Sequence, residues 1–100
     1  MIKPMYFITC FCVEESKNEC TDSRTFGYFA DYNECQTALH ENWCDMHEFY
    51  YTYAVVEKIS EGIHSRPEKV VWFQWNKEQG GFYEAKKPEW ANSWYGFALG

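Results

Sequence analysis

No lysine or arginine occurs between Thr25 and Glu57. Residues 1–50 set Lys3, Lys17 and Arg24 against nine acids, so the formal net charge of −6 arises entirely in that half. Residues 51–100 balance. A direct binder of DNA or RNA needs a basic footprint for the phosphates, and this chain offers no such cluster. Long apolar runs are missing too: no stretch approaches the roughly 20 apolar residues of a membrane span. The opening Met1, Ile2, Lys3, Pro4 and Met5 lead straight into an alternating segment, unlike a secretory signal. The cysteines (Cys10, Cys12, Cys20, Cys35, Cys44) are odd in number and contain no Cys-x-x-Cys pair. Reduced thiols in a cytoplasmic protein are expected, not a disulfide framework.

Catalytic signatures are also absent. The sequence holds no Gly-x-Ser-x-Gly elbow, Walker loop, Gly-x-Gly-x-x-Gly turn or His-Glu-x-x-His helix. His40, Cys44 and His47 fall at helical spacing and invite a metal or a thiol–base pair, and Cys10 and Cys12 also share one strand face. Nothing supplies a fourth ligand or an orienting third group. No catalytic residue, metal ligand or cofactor is therefore assigned, and a non-enzymatic role is expected.

What the chain has in plenty is aromatic residues, 21% of the total, from 5 Trp, 8 Tyr and 8 Phe. A chain of 100 residues forms one domain, 1–100, with a modest core. Trp and Tyr join an apolar body to a polar tip and suit half-exposed positions and interfaces. A surplus beyond the core is expected as an exposed aromatic patch used in protein contact, with Tyr51, Tyr53, Trp72 and Trp75 as contact residues. The competing reading is that alternate aromatics simply fill the core.

The β-formers over 6–13 predict a first strand, and Thr25 to Phe29 a second, with Gly27 marking a bulge or a close backbone approach. Asp31, with Glu34 three residues on, has the form of a capping box. A helix from Tyr32 to Trp43 or Cys44 follows, its apolar side holding Cys35, Leu39, Trp43 and Met46, with Asn42 as a blemish. At about 100° per residue, Glu34, Glu41 and Asp45 share a second side, joined by Asp31 and Glu48 if the helix runs long. Residues 49–59 give the strongest strand signal. Residues 70–75 and 81–86 flank a turn and form a hairpin, and a short strand over 94–98 closes an edge. The order β-β-α-β-β-β-(β) predicts an α+β fold: one antiparallel sheet of five to six strands with an amphipathic helix on one face.

Arg24-Thr25-Phe26-Gly27-Tyr28-Phe29, the helix after it, and Tyr53-Ala54-Val55-Val56-Glu57-Lys58 with Glu61-Gly62 resemble small proteins of gut anaerobic bacteria and their phages and mobile elements. The likeness covers Arg24 to Trp75 and carries over no site residues. It implies an inhibitor of host defence, of the anti-CRISPR type among others, that imitates nucleic-acid charge. The charge pattern fits that expectation: Glu34, Glu41 and Asp45 would steer a protein partner with a basic surface, while the exposed aromatics anchor it. Direct nucleic-acid or membrane binding is not expected. The alternatives are a small-ligand module with an aromatic-lined pocket between sheet and helix, or a thiol- or metal-dependent enzyme.

Overall fold

A computed structural model describes residues 4–17, 19–43, 46–47, 50–60 and 69–91. Five strands, β1 (Pro4–Glu14), β2 (Glu19–Phe29), β3 (Tyr53–Ser60), β4 (Lys69–Asn76) and β5 (Gly81–Ala85), form one sheet in the order β2-β1-β3-β4-β5. Every neighbouring pair is antiparallel. The helix α1 (Tyr32–His40) lies between β2 and β3 in the chain and packs on β5, β1 and β2. This is the expected α+β order of β-β-α-β-β-β. Because β2 and β3 both run opposite to β1, they run parallel to each other, and α1 carries the chain past β1 between them. The strand expected over 94–98 lies outside the described residues.

Asp31 caps α1 as its sequence implied: its backbone is extended (φ −125°, ψ 127°) and its carboxylate accepts the Asn33 amide at 2.9 Å. The helix stops at His40, short of Trp43. Asn42 takes a left-handed conformation (φ 53°), which asparagine tolerates better than most residues, and that geometry ends a helix. The apparent blemish is the stop signal. Its side chain then accepts the His47 amide at 3.0 Å and ties down the chain beyond.

Two strand boundaries move for physical reasons. β2 begins at Glu19 instead of Thr25, because the long β1 offers backbone partners to a polar segment whose side chains stay in solvent. The strand expected from Phe49 begins at Tyr53, since Tyr50 has φ 66°, which a strand cannot accommodate. Gly27 does mark a bulge: Ile8 faces Gly27 and Thr9 faces Thr25, leaving Phe26 as the extra residue.

Strand alternation distributes the core to both sheet faces. On the helix side, Ile8, Cys10, Ala54, Val56, Phe73 and Phe82 meet Cys35, Ala38 and Leu39 of α1, with Met46 and Tyr51. On the other side, Phe11, Val55 and Trp72 lie beneath Trp90 and Ala91, in a single 3-10 turn at Glu89–Ala91.

Candidate functional site

The aromatics expected at the surface are placed differently. Trp72 is only 5% exposed: it stacks on Phe11 (5.5 Å, 29°) and meets Trp90 edge-on (5.7 Å). Tyr51 is only 6% exposed, edge-on to Phe26, and its hydroxyl donates to Asp22 at 3.4 Å. Neither offers a contact surface. This corrects the expectation for both: the turn carrying Trp90 covers the outer sheet face, and the segment after α1 carries Tyr51 into the core. Tyr53 is half-buried against Trp90, and Trp75 half-buried with its ring stacked on His47 (3.8 Å, 3°).

Among the described residues, exposed aromatic area lies elsewhere, at Tyr28, Trp43 and Tyr50, which are 60%, 41% and 83% exposed. Trp43 is the informative one. It follows the helix stop, meets Phe29 edge-on at 6.0 Å, and donates its indole N–H to the Glu41 carboxylate at 3.1 Å. Beside it opens an apolar crevice of about 130 Å³ between α1 and β2. Buried Ile8, Ala38 and Met46 form its bottom, half-buried Phe26 and Phe29 its sides, and Trp43 its rim.

Along the chain from β2 to Trp43 the charge is one-sided, with Lys69 of β4 reaching over the Tyr32 ring at 5.5 Å. From Glu19 to Trp43, Glu19, Asp22, Asp31, Glu34 and Glu41 are all exposed, and the sole lysine or arginine is Arg24, set over the Phe26 ring at 4.9 Å. Among the described residues no ion pair neutralises Asp31, Glu34 or Glu41; the Lys17–Glu14 pair (3.9 Å) lies at the β1–β2 turn. Glu34, in the first turn of α1, and Glu41, at its C-cap beyond the helix, are both exposed, while Asp45 and Glu48 lie outside the described residues.

The thiols and imidazoles are placed for packing. Burial, reinforced by Cys12, pushes the Cys10 thiol far above its ordinary value, and burial, with Glu34 and Asp31 beside it, pushes Cys35 up to about 12. Burial also raises Cys12 and Cys20. Thiols held protonated are poor nucleophiles and poor metal ligands. His40 stacks on Tyr83 (4.3 Å) and His47 on Trp75, so the two rings of the suspected metal flank engage separate aromatics. Cys44 lies outside the described residues. Among the described residues no three His, Cys, Asp or Glu side chains converge.

The raised thiols make a pH prediction. Below pH 9.0 Cys35 is protonated in both folded and unfolded chains and stability is insensitive to it. Between 9.0 and about 12 the unfolded thiol ionises while the buried one cannot, so stability falls as pH rises. Urea midpoints should hold steady to about pH 8.5 and then decline, with a shallower decline in Cys35→Ala. An identical slope in the variant would contradict the burial argument.

One buried carboxyl group has no motif around it in the sequence. Glu57 has no exposed surface and pairs across the sheet with Phe7 and Val70. The signal was the alternation Tyr53, Val55, Glu57, Ile59, which sets a carboxyl group in an otherwise apolar row.

No family model, no curated protein and no solved structure matches this chain.

Proposed function

We propose that this chain is a non-enzymatic interaction protein that binds the basic surface of a nucleic-acid-handling protein, as a phage-type inhibitor of the anti-CRISPR or wider anti-defence kind. The observation that carries the reading is the exposed acidic flank of β2 and α1, five carboxylates against Arg24, joined through Glu41 to the exposed Trp43. Unneutralised charge of one sign steers a partner of the other sign and excludes like-charged competitors. An aromatic beside an apolar crevice supplies the kind of anchor on which binding energy concentrates. Four free thiols support a reducing, cytoplasmic setting.

Two magnitudes weigh against the alternatives. Small-molecule sites enclose about 300–1,000 Å³, and the apolar crevice holds about 130 Å³. A second concavity of about 480 Å³ lies at the β4–β5 hairpin, but Gln74, Asn76, Lys77, Glu78 and Glu84 along it are all exposed, so it cannot enclose a ligand. Among the described residues, Cys10, Cys12, Cys20 and Cys35 have raised thiols that do not favour thiol catalysis; Cys44 lies outside them.

The test is capture from the heparin-binding fraction of a bacterial lysate, using wild-type chain and Glu34→Lys/Glu41→Lys as baits. Wild type should retain a basic protein in a salt-sensitive manner, and the variant should lose it. Equal retention by both baits would contradict the proposal.

A further inference from the structure

We propose that the outer edge of β2 receives a basic extended segment as an additional strand, with one large apolar side chain of that segment seated in the crevice beside Trp43. The inference rests on the proposed binding of a basic partner and names where and how that partner is held.

Strand β2 ends the sheet order, and among the described residues no strand pairs with its outer edge. Its side chains at residues 21–25 are all exposed. Such an edge presents backbone donors and acceptors to an incoming chain unless Pro, charge or a bulge blunts it; β2 has no Pro or Lys, and between its two register shifts residues 22–25 pair regularly with β1. Strand addition draws affinity from the main chain and specificity from pockets that take alternate side chains.

The bulge supplies the pocket. It turns Phe26 toward the helix-side core and leaves Gly27 at the crevice with no side chain of its own. A Cβ placed on Gly27 would meet nothing within 4 Å, so the space there is open. Cavities of about 150 Å³ hold a benzene molecule. The crevice of about 130 Å³ thus fits one leucine or phenyl group and nothing larger. In an added strand every second side chain points to the helix side, toward this opening. Of the exposed charged side chains nearby, Asp22 on β2 and Glu41 at the end of α1 favour lysine or arginine in the segment, against the single Arg24 held over Phe26.

The experiment titrates isotope-labelled full-length chain with a capped seven-residue peptide of alternating lysine and threonine around a central phenylalanine. Amide shifts should concentrate in β2, with the Trp43 indole N–H moving as well. Gly27→Leu fills the crevice from within, and with open space at its Cβ it should melt as wild type does. It should weaken the peptide about tenfold or more, as should a peptide with central alanine. A peptide N-methylated on the backbone amides of one edge keeps charge and anchor and should bind at least tenfold more weakly. Full affinity for Gly27→Leu or for the N-methylated peptide overturns the strand-and-crevice inference alone. Equal binding of a glutamate-for-lysine peptide overturns the acidic-surface reading beneath it. A dimer formed through β2, seen by sedimentation, would show that the edge belongs to a second copy and overturn the inference as well.

Discussion

Replacing Trp72 with alanine should lower the unfolding free energy by about 3–5 kcal/mol. For a small domain that is a large part of a total near 5–15 kcal/mol. The effect follows from position: Trp72 is 5% exposed, lies against Phe11 and Trp90, and shares its face with the fully buried Val55. Truncation leaves a hole that the strand backbone cannot collapse to fill. Urea unfolding followed by circular dichroism measures it. A loss below about 0.5 kcal/mol, typical of a surface residue, would return Trp72 to the surface role its sequence context suggested.

Gly81→Ala should also destabilise the fold strongly, by about 3 kcal/mol, at the upper end of overpacking costs. A Cβ at Gly81 would collide with the His40 carbonyl oxygen and come within 2.7 Å of its carbonyl carbon. These are backbone atoms of the last helical turn and cannot swing aside as a side chain would. The end of α1 must lift from β5, opening the His40–Tyr83 stack. Gly80→Ala is the control. Gly80 has φ +71° but open space around it, so alanine there meets only the left-handed penalty of about 1–2 kcal/mol. Equal losses in the two variants would refute the collision.

The sheet was legible where burial leaves a local pattern. Residues 54–56 form an unbroken buried apolar run because β3 lies between β1 and β4 with both faces covered. The polar half of β2 was not legible, since partners on β1 hold it in the sheet through the backbone and its side chains carry no strand signal. Alternation alone does not say whether the face carrying Trp72 meets solvent, which depended on Trp90, in a turn after Pro88 that reads as loop. The exposure of Asp31 and Glu34 follows from a local pattern, because charge at the start of a capped helix needs no long-range information, whereas Glu19 and Asp22 on β2 carried no such signal. The crevice could not: it arises where a bulge in one strand meets the early end of a helix.

Association kinetics test the central claim most directly. With the protein captured from the heparin-binding fraction, on-rates for wild type and Glu34→Lys/Glu41→Lys are compared at 0.1 M and 1 M salt. Both positions are exposed, so the variant should stay folded, with a penalty of about 0.3–1 kcal/mol for a cation in the first helical turn at Glu34. The account predicts a markedly slower on-rate for the variant at low salt. The gap should narrow at high salt, where the Debye length falls from about 10 Å to about 3 Å. Equal on-rates at 0.1 M would contradict it and reduce the acidic flank to a solvated surface.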